Sequence, residues 1–353
     1  MKGLYFVSPE SFVGKSTVLL GVGRNLQAQG KKISYFKPLG NLPTREEGLL
    51  TDEDAVSARK ALGLKDPLDE MVPVVMTPDL AVLFLKSQVT DITKQVKENY
   101  EKLSSKHDVI LVEGVGNFIE GKMYNLAPKD VADLLDLKVI VVARCETDIL
   151  ADHILEAKEI FKDRFIGFVV TGGTQACREY HHRLLIPYLT SKGINFLGAI
   201  PQDETLKSIS IRELVEVLNG EILCQEDKLD ELVERFLVGA MSVDNALRYF
   251  RRVINKAVIT GGDRSDIQMA ALETPTKVLV LTGNFYPSNV VLAKAEDAGV
   301  PIVLVKQDTL TVVELVERVF GRARIREEKK IQRATTMVEE FVDLKAISKA
   351  LDL

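Results

Sequence analysis

The sequence predicts an α/β protein: a mostly parallel sheet with helices on both faces, built around a phosphate-binding loop, then a second, smaller α/β unit. Three observations carry this expectation. An apolar run, Leu4-Tyr5-Phe6-Val7, enters the loop Ser8-Pro9-Glu10-Ser11-Phe12-Val13-Gly14-Lys15-Ser16-Thr17, and a helical repeat follows. Strand-sized hydrophobic runs then alternate with helix-period stretches, the pattern of parallel βαβ units. After Pro201-Gln202-Asp203-Glu204 the alternation restarts, which divides the chain into residues 1–205 and 206–353.

Each element has a local reason. The loop is aimed by the first strand, and Gly14 lets backbone N–H groups approach an anion at the positive end of the following helix. Ser11, Val13, Gly14, Lys15, Ser16 and Thr17 are the expected nucleotide contacts, with Lys15 neutralising terminal phosphates and the Ser16 hydroxyl ligating Mg²⁺. The Walker A pattern has a further glycine five residues before Gly14, where this chain has Pro9. Val18, Leu19, Val22 and Leu26 repeat at helical spacing, and Gly30 is placed to end that helix. Ile33–Phe36 reads as the next strand and delivers Lys37 to its carboxyl end, where ligands collect in parallel sheets; a solvated lysine closing the strand fits the position equally. The run Thr51-Asp52-Glu53-Asp54 precedes a helix containing Ala55, Val56, Ala58 and Leu62, so its acids read first as helix caps. Ile92, Val96, Tyr100 and Leu103 form a core stripe. The buried run 109–112 then ends at Glu113-Gly114-Val115-Gly116-Asn117, an acid placed to hold Mg²⁺ directly or through water. Strands at 139–143, 166–170 and 196–200, with a helix at 149–161, continue the alternation.

Composition narrows the function classes. At 353 residues and 46% apolar content the chain can bury two cores, and a net charge of −5 with interspersed signs leaves no basic stripe for nucleic acid. The longest apolar runs are strand-sized, so no membrane span is expected. Cys145, Cys177 and Cys224 are scattered without CxxC spacing and no secretory signal is visible, so a reducing cytoplasm is the expected compartment. Cys177 and His181 lie four apart with His182 adjacent, but two ligand types on one helix face do not close a metal site. A polar helix surface is the expected reading.

Residues 1 to about 205 resemble the dethiobiotin synthetase group of P-loop NTPase-like proteins, and more closely the version of that domain at the N-terminus of some phosphotransacetylases. The matching stretches are 11–17, Phe36-Lys37-Pro38, Asp54-Ala55 and Val112-Glu113-Gly114-Val115-Gly116. The resemblance implies ATP and Mg²⁺ as cofactors, with Lys15 and Lys37 contacting phosphate and substrate as catalytic residues. It implies Ser16, Asp54 and Glu113 as the residues around the metal. Glu10 matches an acid of the group's loop, so a lysine-swapping dimer ATPase is not expected. Ser8 and Asn117 replace glycines of the group, and Thr171, the remaining expected nucleotide contact, falls where the group carries a base-recognising Asn, a change that bears on adenine preference.

In the second half, Ala257-Val258-Ile259-Thr260-Gly261-Gly262-Asp263-Arg264 and the strands at 278–281 and 301–305 resemble the DRTGG domain over about residues 206–320. Gly261 and Gly262 let the backbone approach a ligand or a neighbouring chain, and Arg264 can fork onto a carboxylate or phosphate, or pair with Asp263 around the turn. Gly262, Asp263, Arg264, Thr282 and Asp308 are the candidate contacts for a regulatory ligand, either a small-molecule or a protein effector. Met337, Phe341, Leu344 and Ile347 mark terminal helices that pack on a neighbouring element or protomer, and a homo-oligomer is the expected assembly. The phosphotransacetylase catalytic domain needs far more chain beyond residue 353, so that chemistry is not expected here. The expected function is a Mg-ATP-binding ATPase with a ligand-sensing DRTGG unit. A dethiobiotin synthetase-like ligase phosphorylating a carbamate or carboxylate, and a scaffold with a structural nucleotide, are the alternatives.

Overall fold

The computed structural model describes residues 2–88, 91–145, 149–320 and 325–353. Eight strands form in the first unit: β1 (Lys2–Val7), β2 (Ile33–Phe36), β3 (Pro43–Glu46), β4 (Leu49–Asp52), β5 (Val109–Glu113), β6 (Lys138–Arg144), β7 (Phe165–Thr171) and β8 (Phe196–Ile200). Six of them make one sheet in the order β2-β5-β1-β6-β7-β8, and every pairing in it is parallel. Strands β3 and β4 form a separate antiparallel hairpin, which the sequence reading did not anticipate.

Near-continuous apolar strands are what a parallel sheet covered on both faces requires. Tyr5, Ile110, Val112, Val139, Val141, Phe168 and Val170 join one core with Val96, Tyr100, Leu103, Val131, Ile154 and Ala157 from the helices Thr93–Ser104, Pro128–Leu135 and Ile149–Phe161. Successive side chains alternate between faces. The opposite face is accordingly covered by the helix Lys15–Ala28, whose Gly23 lies so close to Leu111 that a Cβ would come within 2.7 Å of it.

The second unit comprises residues 203–327. Its strands are β9 (Ile209–Ser210), β10 (Glu221–Cys224), β11 (Leu232–Val233), β12 (Arg235–Val238), β13 (Lys256–Gly261), β14 (Thr276–Thr282) and β15 (Ile302–Leu304). Five of these form a sheet in the order β10-β15-β14-β13-β12, parallel except for β10. Its helices include Ile211–Leu218, Ser265–Leu272, Asn289–Ala298 and Thr309–Phe320.

One expected boundary differs. The C-terminal helices Glu328–Phe341 and Leu344–Ala350 belong with the first unit, which comprises residues 1–202 together with Glu328–Leu353. Gly21 of the first helix has no side chain, so Val338 and the Ala334 carbonyl fit against it. The Asp343 N–H donates to the Leu197 carbonyl at the edge strand β8. Contiguity in sequence placed these helices with the second half; their apolar stripe finds its cover on the first. Among the described residues, no helix is long and apolar enough to cross a membrane.

Candidate functional site

The phosphate-loop residues lie at the carboxyl end of β1, between the ends of its neighbours β5 and β6 in the sheet. Gly14 sits at φ +89°, a conformation that glycine adopts without a Cβ penalty, and starts the helix Lys15–Ala28. The Lys15 side chain is buried and its Nζ donates to Ser8 Oγ at 2.8 Å; Ser8 in turn donates to the Glu10 carbonyl at 2.7 Å. Ser8 replaces a glycine of the resembling group and here holds the ammonium against the loop. Burial pushes the Lys15 pKa down, with the Glu113 carboxylate opposing. An anion placed beside it therefore restores a charge that the folded chain holds at a cost.

Register brings the distant acid to the loop. Phe6 of β1 pairs with Glu113 of β5, and Ser16 Oγ donates to Glu113 Oε1 at 2.7 Å across 97 residues of sequence. Glu113 is 3% exposed, and Tyr35 donates its hydroxyl to the second carboxylate oxygen at 2.6 Å. Burial and then the Asp54 charge push the Glu113 pKa up, while burial and then Glu113 push that of Tyr35 up, so the phenol stays a donor.

Lys37 does not end in solvent. Its side chain is 1% exposed and its Nζ meets Asp52 Oδ1 at 2.9 Å and Asp54 Oδ2 at 2.5 Å. Burial works against the ammonium, but Asp54 and Asp52 outweigh it and the Lys37 pKa lies above that of an ordinary lysine. Burial pushes Asp52 the other way, toward its neutral form. We take the charged pair as the governing state, because Asp52 also accepts backbone N–H groups from Leu42 at 2.8 Å and Asp54 at 2.9 Å. Asp52 is therefore both the cap of the helix Glu53–Ala61 and an anchor for Lys37.

The remaining loop residues divide by role. Ser11 is exposed and faces Gly116, where a Cβ would fall 2.5 Å from its hydroxyl. Val13 is buried, and its carbonyl accepts the Thr171 hydroxyl. The Thr171 hydroxyl proton thus goes to the phosphate loop. Thr17 lies beside Gly14, its Oγ1 3.6 Å from where a Cβ there would be. Asn117 Oδ1 accepts from the Ile119 and Glu120 N–H groups, and Glu120 accepts from the Gly116 N–H at 2.7 Å. The asparagine side chain thus closes a turn over Ile119 and Glu120. Tyr35 and Glu120 escaped the sequence reading, and so did the pairing of Asp52, read there as a helix cap, with Lys37. The signal for Tyr35 was its strand parity, two residues before Lys37 and so on the same face.

In the second unit Arg264, Gly262, Thr282 and Asp308 meet other residues of the unit rather than one another. Arg264 forks onto Asp266, at 3.0 and 3.1 Å, rather than pairing with Asp263. A Cβ on Gly262 would lie 2.0 Å from the Phe285 carbonyl, so the close approach this glycine permits is to its own chain. The Thr282 and Thr309 hydroxyls are 2.7 Å apart, and Asp308 caps the helix Thr309–Phe320 through the Leu310 and Thr311 N–H groups. Asp263 is exposed at the turn.

Residues 2–210 match the model of the AAA domain family, more than half of the chain, and residues 213–319 match that of the DRTGG domain. The chain belongs to the AAA domain family. Its AAA domain is of the dethiobiotin synthetase-like P-loop kind, and a DRTGG domain follows it. Similar proteins include a phosphate acetyltransferase of Nitratidesulfovibrio vulgaris, 24% identical over 96% of this chain and 50% of that protein. One from Synechocystis is 23% identical over the same shares. An ATP-dependent dethiobiotin synthetase of Clostridium perfringens is 23% identical over 62% of this chain and 99% of its own length. The chain thus spans about half the length of the phosphate acetyltransferases it matches, and its AAA domain alone corresponds to a whole synthetase.

Proposed function

We propose that this chain binds Mg-ATP at its AAA domain and hydrolyses it, with the DRTGG unit sensing a second ligand. The observation that carries the reading is the convergence of Lys15, Ser16 and Glu113, brought together by strand register from positions 97 residues apart. The donor set suits the ion: a hydroxyl and carboxylates are hard oxygen ligands, the chemistry Mg²⁺ selects. The upward pKa push on Glu113 comes from burial and then from Asp54, with Lys37 only partly offsetting it, so a further cation beside these acids would be stabilised. Mg²⁺, when bound, supplies charge neutralisation across the phosphate oxygens. Ser16, Asp54 and Glu113 would hold it, Lys15 and the loop N–H groups would stabilise charge developing on the transferred phosphoryl group, and Tyr35 keeps Glu113 oriented. A second ligand acts on hydrolysis only if it binds the nucleotide-loaded and empty states unequally.

Lys37 favours one alternative: a ligase like the dethiobiotin synthetase relative, in which Lys37 and Lys15 orient a carbamate or carboxylate for phosphorylation. The double clamp of Lys37 by Asp52 and Asp54 weighs against it, since it leaves only one N–H of the buried ammonium for a substrate. Single-turnover phosphate release, with and without amine plus bicarbonate, separates the readings. Release without acceptor supports the ATPase. Release only with acceptor supports the ligase, and bound but unspent ATP supports a structural nucleotide. Lys15→Ala is expected to abolish nucleotide-induced thermal stabilisation, and an undiminished shift would remove the loop from the site.

A further inference from the structure

The sequence reading placed Cys177 and His181 on a polar helix surface. In the structure His181 is 3% exposed and a third soft ligand, Cys145, has joined them. Cys145 directly follows β6, and its N–H donates to the Thr171 carbonyl at 2.9 Å, so its backbone is held by the sheet. Cys177 lies on the short helix Gln175–Tyr180, and its Sγ donates to the Cys145 carbonyl at 3.2 Å. His181 opens a π-helical turn, His181–Leu185, a distortion that recurs at functional sites because it re-aims a side chain. Its Nδ1 stands 3.5 Å from Cys145 Sγ and its Nε2 3.8 Å from Cys177 Sγ. Gly173, at φ +87°, leaves room for the Cys145 thiol, since a Cβ there would lie 2.3 Å from that sulfur.

We propose that Cys145, Cys177 and His181 form a binding site for a thiophilic d¹⁰ metal ion, Zn²⁺ in the first instance. Their three ligand atoms lie within 4.8 Å of one another. Tetrahedral Zn²⁺ sites need S···N and S···S separations of about 3.6 and 3.8 Å; the imidazole faces one sulfur with each nitrogen, so on binding it turns until a single nitrogen faces both. Two thiolates and an imidazole select Zn²⁺ or Cu⁺ over Mg²⁺. This ligand chemistry is distinct from the oxygen set around Glu113. On binding, the two thiol protons pass to solvent as two metal–sulfur bonds and one metal–nitrogen bond form. The fourth position stays open to water or a small exogenous ligand, and half-buried Cys177 is the side from which an ion arrives.

The test uses the full chain, reduced and stripped with chelator, titrated with Co²⁺ as a spectroscopic probe and then with Zn²⁺ in competition. We expect a thiolate-to-cobalt charge-transfer band and the visible bands of a tetrahedral ion, both displaced by Zn²⁺. Cys177→Ser and His181→Asn are each expected to weaken Zn²⁺ binding more than tenfold, roughly the least that losing a ligand costs. Cys224→Ala, in the other unit, leaves the bands unchanged. Lys15→Ala leaves them unchanged too, so failure of the nucleotide reading and failure of this one are separable. Absence of the charge-transfer band, its persistence in Cys177→Ser, or recovery of Cys145 and Cys177 only as a disulfide under reducing conditions overturns the proposal. Circular dichroism on each variant confirms that a lost band is not lost fold.

Discussion

At the scale of single residues, Glu113 carries the most consequence. A buried carboxylate needs each oxygen satisfied, and Ser16 and Tyr35 each take one. Tyr35→Phe keeps the ring in the core and removes only the donor, leaving a buried acceptor unpaired at a cost of about 1–3 kcal/mol. We expect that loss in chemical denaturation, together with weaker Mg-dependent nucleotide affinity; an unchanged Mg²⁺ titration would detach Tyr35 from the site. Lys256 makes a different kind of prediction. It is 0% exposed, its Nζ donates to the Pro275 carbonyl at 2.9 Å, and burial lowers its pKa to about 8 from 10.5. Because the folded state binds the proton less tightly than the unfolded one, the unfolded chain carries more charge between those values. Stability should therefore rise as pH goes from about 8 toward 10.5. The slope is at most about 1.4 kcal/mol per pH unit. Replacing Lys256 by Met should flatten that slope in melts taken across the window, and an equal slope in both proteins would refute the assignment.

Elements meet through residues chosen for what they lack. Gly21 lets the helices Lys15–Ala28 and Glu328–Phe341 approach until Val338 occupies the space of a side chain. Gly21→Val forces them apart, and overpacking of this kind costs about 1–3 kcal/mol. Urea denaturation should show that loss while the phosphate loop, at the start of the same helix, keeps its nucleotide affinity; a collapse of affinity at full stability would be contrary evidence. The sequence exposed most of these elements directly. Helix 149–161 and strand 33–36 fall where their periodicity and flanking residues put them. The hairpin β3–β4 was missed because Thr44, Arg45 and Glu46 give a two-residue alternation too short and too polar to stand out from a loop.

For the whole molecule, residues 1–202 and 328–353 make one unit and residues 203–327 the other, so the C-terminal helices lie with the first. Ile331, Ala334, Met337, Val338, Ile347 and Leu351 are buried in the first unit, so deleting residues 328–353 should remove on the order of 5 kcal/mol or more from it. The melting transition that nucleotide shifts should fall with that deletion. A fall confined to a nucleotide-insensitive transition would return these helices to the second unit.

The chain order alone determined the phosphate loop, the parallel alternation of strands and helices and the presence of two α/β units. All three are written in spacings of a few residues, where local backbone preference and hydrophobic period decide. Only the tertiary structure decided that Lys37 is clamped by Asp52 and Asp54, that Tyr35 holds Glu113, that Arg264 turns to Asp266, and that Cys145 stands beside His181. Most of these contacts join residues from different strands and helices, often tens of positions apart. Which of the many possible partners meet depends on strand order, register and helix docking, and no short window of sequence contains that choice.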